Sequence, residues 1–259
     1  MSSKSDQRLK GVRVLVARPQ DQGATLTAQL QNKGAEVIQL PAIEIQPTPL
    51  NTPLKNCFLN LDQYHHIIAI STHAARFGLH WVDQYWPQLP ISIKWYAVGE
   101  KTASILNDAD IEVITAIQGN DSEALLDLPE LAQPNHENVL ILRGFDGREL
   151  LKQKLEQRGA KVDYAELYRR GLPSYSDSEL DKALIKFSPD ILVTLSGETL
   201  HNLVKLSQNR QLTITDKTVL VPSKRVADQA RSLGFNNILI PDALDEHSLI
   251  ECIASNHRT

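Results

Sequence analysis

The 259-residue chain is 42% hydrophobic, which is enough for one large core or two small ones. Its formal net charge of −4 leaves no basic field to favour nucleic acid or an acidic membrane surface. Cys57 and Cys252 are too few and too far apart for a disulfide framework or a thiolate metal site. No apolar run reaches the roughly 18 to 20 residues of a spanning helix, and Met1 to Lys10 has no apolar signal segment. A cytoplasmic protein is expected, with no membrane or nucleic-acid partner.

In chain order, Val12 to Ala17 reads as a first strand, Asp21 to Lys33 as a helix stopped by Gly34, and Glu36 to Leu40 as a second strand. Pro41 to Pro47 alternates like a short strand closed by prolines, and a Pro-rich linker runs on to Pro53. A short helix near Leu54 to Leu61 precedes a strand, His66 to Ile70, after which Thr72 is expected to cap a helix to about Tyr85. Trp95 to Val98, Glu112 to Ile114 and Val139 to Leu142 are further strands, each followed by a helix; the last helix stops at Gly159. Ala165-Glu166-Leu167-Tyr168-Arg169-Arg170 is extended and polar at one end, and Gly171 and Pro173 follow it. Beyond it come a helix to Phe187 capped by Ser176 or Asp177, then strands at Ile191 to Thr194, Val219 to Val221 and Asn237 to Ile240, with helices between and after them.

Strands that alternate with helices of about 10 to 15 residues predict parallel sheets covered on both faces. The two extended stretches are read as crossings of one waist. This predicts an α/β protein of two parallel-sheet domains joined by a two-stranded waist, the first domain being discontinuous. Residues 1–40 plus 172–259 form the first, 48–163 the second, and 41–47 and 164–171 the crossings. Tyr168 is then expected to face the cleft between the halves.

In open α/β sheets, ligands bind beyond the carboxyl ends of the strands. Those ends are Arg18-Pro19, Ser71-Thr72-His73, Gly99-Glu100-Lys101-Thr102, Arg143-Gly144, Ser196-Gly197 and Ser223-Lys224-Arg225. Each precedes a helix N-terminus, where free N–H groups and the dipole favour anions. Capping is the better explanation of any one such turn taken alone; together, with Arg18, Arg143 and Arg225 among them, they suit a polyanionic ligand. No dinucleotide or P-loop fingerprint is present, and Ser196-Gly197 lacks the context of a nucleophile elbow. His65 and His66 have no acidic or cysteine partner at metal-ligand spacing. Trp81 and Trp86 read as packing anchors.

The motifs Val14-Leu15-Val16-Ala17-Arg18-Pro19, Ala97-Val98-Gly99-Glu100-Lys101-Thr102-Ala103 and Ile141-Leu142-Arg143-Gly144 with Gly147-Arg148-Glu149-Leu150-Leu151 occur in that order. Gly159 to Arg170, Pro222 to Ala227 and Leu233-Gly234-Phe235 complete the series. Over nearly the whole chain this series resembles the uroporphyrinogen-III synthases. The resemblance implies two α/β domains on a two-stranded waist. It also implies conversion of the linear hydroxymethylbilane to uroporphyrinogen III, with loss of water and inversion of ring D through a spiro-pyrrolenine, without cofactor or metal. A cytoplasmic monomer supplied by hydroxymethylbilane synthase is expected. Tyr168 matches the family's tyrosine near the reacting end, and Thr102 a threonine associated with binding. Arg18, Ser71, Thr72, Gly99, Lys101, Arg143, Gly144, Ser196, Gly197, Ser223, Lys224 and Arg225 are the other expected substrate contacts. His73 and Leu195 depart from the family pattern. The competing reading is a two-lobed anion-binding protein without catalysis.

Overall fold

The computed structural model describes residues 7–116, 122–145, 147 and 149–256. Met1 to Asp6 of the N-terminal reading, and Asp146 and Arg148 of the strand-to-helix turn, lie outside the described residues. The chain divides into two compact units, Met1–Glu44 with Gly171–Thr259, and Ile45–Arg170.

The first unit opens with β1 (Arg13–Val16), α1 (Gln20–Asn32) and β2 (Glu36–Gln39), and the chain leaves it along β3 (Glu44–Pro47). The second unit continues with α2 (Thr52–Leu59), β4 (His66–Ala69), α3 (Thr72–Tyr85), β5 (Lys94–Ala97) and α4 (Glu100–Asn107). It ends with β6 (Val113–Thr115), α5 (Ser122–Leu126), β7 (Asn138–Gly144), α6 (Leu150–Gln157) and β8 (Lys161–Gly171). Back in the first unit stand α7 (Asp177–Leu180), β9 (Ile191–Val193), α8 (Gly197–Gln208), β10 (Thr218–Leu220), α9 (Lys224–Ser232), β11 (Asn237–Leu239) and α10 (Glu246–Asn256). The helix expected to run to Phe187 is α7 followed by a π-helical stretch over Asp181–Lys186.

In the first unit the sheet order is β11-β10-β9-β1-β2, and every neighbouring pair is parallel. Successive strand residues point to opposite faces. Leu15, Leu192 and Val219 therefore join the core on one side, and Val14, Val16, Ile191, Val193 and Leu220 the core on the other. A sheet buried on both faces needs such unbroken apolar runs.

The second unit has the order β3-β8-β7-β4-β5-β6. Its strands from β8 to β6 are parallel, and again two cores flank them. Ile67, Ala69, Trp95, Ala97, Leu140 and Leu142 share one, and Ile68, Tyr96, Val139 and Ile141 the other. Trp86 donates its indole N–H to the Phe58 carbonyl at 2.6 Å, and Trp81 packs on Phe58 and Tyr85, so both act as anchors.

The stretch 164–171, read as an extended crossing, is the greater part of the 11-residue strand β8, laddered to β7 with Ile141 opposite Tyr164 and Leu142 opposite Ala165. Ala165, Leu167 and Tyr168 are buried against the sheet, Arg169 and Arg170 are exposed, and the strand satisfies its backbone there. One expectation needs correction. Thr72 does not cap α3. Ser71 does, in extended conformation, with its side-chain oxygen accepting from the Ala74 N–H.

Candidate functional site

In the second unit, strand order reverses between β4 and β7, the position at which open α/β sheets bind ligands. The carboxyl ends of β4, β5 and β7 there bring Ser71, Thr72, Gly99, Lys101, Thr102, Arg143 and Gly144 to one edge of the sheet. Tyr168 joins them from β8 because the ladder shifts register. Arg143 pairs with Glu166, but the next residue, Gly144, pairs with Tyr168, so Leu167 is an extra residue on β8. The Phe145 N–H then donates to the Tyr168 carbonyl at 2.8 Å.

The Tyr168 ring lies directly on Gly144. A Cβ placed on that glycine would stand 2.7 Å from ring carbons Cε2 and Cζ, which no side chain tolerates. The ring is only 4% exposed, with His73 edge-on at 5.6 Å and Phe77 tilted at 6.0 Å. Its hydroxyl is 2.9 Å from Ser71 Oγ. The same Oγ accepts from the Ala74 N–H at 3.1 Å, so the phenol is tied to the first turn of α3. Gly78 lets α3 approach the sheet: a Cβ there would meet Leu142 Cδ1 at 2.6 Å.

Gly99 caps α4 with φ of 80°, a conformation glycine adopts without penalty. Thr102 is buried in the first turn of that helix, and Lys101 beside it is exposed. Arg143 behaves differently from the expectation for it. Its side chain is buried and two of its five donors are engaged within the protein: Nε bonds the Gly144 carbonyl at 3.0 Å and Nη1 bonds Glu149 Oε1 at 2.9 Å. The guanidinium also covers the Tyr164 ring at 4.2 Å, with Gly147 leaving room behind it. Arg143 therefore supports the turn after β7. Hydrogen bonding from the Tyr164 hydroxyl, and then from Arg143, holds the Glu149 carboxyl below its ordinary range, while burial raises Tyr164.

In the first unit, order reverses between β1 and β9. Arg18 follows β1, Ser196 and Gly197 follow β9, and Ser223, Lys224 and Arg225 follow β10, so all six stand at the carboxyl edge of three adjacent strands. Ser196 caps α8: its Oγ accepts from the Thr199 N–H at 3.0 Å and lies 2.8 Å from Thr199 Oγ1. Ser223 holds the corresponding place before α9 but makes no side-chain cap. Lys224 and Arg225 are exposed, and Arg18 is half-buried.

Sequence reading placed His73 at a strand end but missed several other contributors. His73 and Phe77 enclose Tyr168, and Glu149 and Tyr164 hold Arg143. Gln229, on α9, approaches Gly197 so closely that a Cβ there would collide with its Oε1. Only the three-to-four-residue helical spacing of His73 and Phe77 carried a hint of the first pair. His66 pairs with a carboxylate distant in sequence, Glu137 Oε2 at 2.7 Å from Nε2, with the Tyr96 hydroxyl 3.0 Å from Nδ1. That pair lies at the amino end of β4, away from the edge described above. Among the described residues, no group of three or more His, Cys, Asp or Glu side chains is placed to hold a metal, and no helix is long and apolar enough to cross a membrane.

Comparison with known proteins agrees with this architecture. The sequence pattern of the family described as uroporphyrinogen-III synthase HemD matches residues 24–251. The uroporphyrinogen-III synthase of Escherichia coli is 33% identical over 246 residues, covering 93% of this chain and 99% of that protein. Among solved structures, a mutant uroporphyrinogen III synthase from Thermus thermophilus superposes with a TM-score of 0.60 at 19% identity, over 96% of this chain and 100% of the other. The Helicobacter pylori uroporphyrinogen-III synthetase gives 0.61 at 17% identity, over 95% and 100%. At those identities the structural likeness bears on the fold alone.

Proposed function

Because this chain belongs to the uroporphyrinogen-III synthase family of tetrapyrrole biosynthesis, we propose that it is a hydro-lyase acting on hydroxymethylbilane, with Tyr168 at the reacting end. The pyrrole nitrogen of the substrate pushes out the terminal hydroxyl, which leaves as water once it takes a proton. The azafulvenium that remains closes on ring D through a spiro intermediate, and the proton finally lost from ring D balances the one supplied. The chemistry demands little acid strength and much positioning.

The observation that carries this reading is the placement of the Tyr168 phenol. It is held over Gly144 and against Ser71 at the carboxyl edge of the sheet, where a reacting group belongs. A phenol is a weak acid but a good hydrogen-bond donor, suited to a hydroxyl that already departs readily. Within each unit, the helix N-termini at the carboxyl edge of the sheet, after β4 and β5 in one and after β1, β9 and β10 in the other, suit carboxylates such as the substrate carries, with Lys101, Lys224 and Arg225 adding charge. Hydroxymethylbilane synthase would supply the substrate, and the enzyme would act as a monomer. Family membership disfavours the alternative, an anion-binding protein without catalysis.

The test is to supply freshly made hydroxymethylbilane and resolve the type I and type III products. Type III is expected; type I alone, at the uncatalysed rate, removes the assignment.

A further inference from the structure

Ser71 was expected among the substrate contacts, and in the structure its hydroxyl also has two partners within the protein. Its Oγ sits 3.1 Å from the Ala74 N–H and 2.9 Å from the Tyr168 hydroxyl. A serine hydroxyl has one proton and two acceptor positions. One acceptor position is filled by the helix N–H. That N–H, at the positive end of α3, polarises Ser71 and makes its O–H a better donor.

We propose that Ser71 is a positioning residue which donates its proton to the Tyr168 phenol oxygen, so that the phenol's own proton is turned away from Ser71 and kept for the departing hydroxyl of the substrate. The opposite polarity, with Tyr168 donating to Ser71, would occupy the one proton the phenol has. The inference rests on the role proposed for Tyr168. Ring placement contributes independently, because Gly144, His73 and Phe77 hold the ring in plane while only Ser71 contacts its oxygen within the hydrogen bonds described. The three residues leave the phenol little freedom except rotation of its O–H bond, and Ser71 sets that rotation.

The test is a double-mutant cycle with a donor series at position 71, read in kcat, KM and melting temperature. Ser71→Ala removes cap and donor together, and about a tenfold fall in kcat with little change in KM is expected. Ser71→Thr keeps both and should recover most of that loss. Ser71→Asp is the discriminating variant. An aspartate caps a helix as well as serine does but, ionised, cannot donate. It should keep the melting temperature and lose kcat at least as severely as Ser71→Ala.

In a Tyr168→Phe background, Ser71→Ala should cost nothing further in kcat, since the oxygen it serves is gone. If Tyr168→Phe itself turns over like the parent, the reading of Tyr168 falls. If Tyr168→Phe is impaired but Ser71→Ala still costs its full tenfold there, or Ser71→Asp turns over like the parent, the positioning role of Ser71 falls while Tyr168 stands.

Discussion

Gly144 and Tyr168 face each other across the β7–β8 ladder at the one register shift of that pair, and the tyrosine ring fills the space a side chain on Gly144 would need. Backbone irregularity and missing Cβ together aim the phenol at the N-terminus of α3. Gly144→Ala is therefore expected to displace the ring. Overpacking of this kind costs about 1–3 kcal/mol, and turnover should fall further than in Tyr168→Phe. Calorimetry and product analysis check both. An alanine variant with parent stability and turnover would show that the ring has slack.

Tyr168→Phe keeps the ring against Gly144, His73 and Phe77 and removes only the hydroxyl. Positioned acid assistance is worth roughly 10²- to 10⁴-fold, and the lability of the hydroxyl places the expected loss at the lower end. Product binding should persist, and type III should dominate whatever product forms, because inversion depends on how the substrate is held. A Tyr168→Phe enzyme that makes mostly type I would move the role of this residue from proton supply to stereocontrol.

Ser196 and Ser223 open consecutive helices at the same sheet edge but carry different loads. Ser196 caps α8 through the Thr199 N–H, and Ser223 makes no such bond. Ser196→Ala should cost about 1 kcal/mol of stability, while Ser223→Ala should be close to neutral. Each is expected to weaken catalysis only partly if, as proposed, many N–H groups share the substrate's carboxylates. Complete loss of activity in either folded variant would reveal a dedicated catalytic hydroxyl.

The Glu149 carboxyl, held below its ordinary range by Tyr164 and Arg143, links the turn after β7 to pH. A carboxyl whose folded pKa is depressed contributes stability that is present above its unfolded pKa and is lost as pH falls through the folded value. Tyr164→Phe removes the larger cause. The variant should melt slightly below the parent at neutral pH, by a few degrees at most because Glu149 is largely exposed. The gap should close in acid below the ordinary carboxylate range. A gap that does not change with pH would show that the Tyr164 hydroxyl stabilises the turn by some route other than the Glu149 charge.

Product should stabilise the enzyme, since it binds the folded chain alone: about 2.7 kcal/mol at a hundredfold excess over Kd. A thermal melt that does not move at saturating product would contradict the assignment of these sheet edges as the binding surface.

The residues by themselves determined the βα alternation, the unbroken apolar runs of the parallel strands and the polar turns at their carboxyl ends. All three follow from local periodicity and from which residues end helices, so they need no distant partner. They also carried Tyr168 and the likeness of its surroundings to one family. What sequence could not carry was the use of each polar group. Arg143 looked like a ligand for anions, yet Glu149 and Tyr164, six and 21 positions away, take it up. The Ser71 hydroxyl read as a substrate contact, and only the fold shows that a tyrosine 97 residues later lies against it. The stretch before Gly171 read as extended, but its ladder with β7 and the register shift that sets Tyr168 opposite Gly144 appear only in the folded sheet. Hydrogen bonds and close glycine contacts depend on distances of a few tenths of an ångström between segments far apart in the chain, and those distances exist only once the sheet has set its strand order and register.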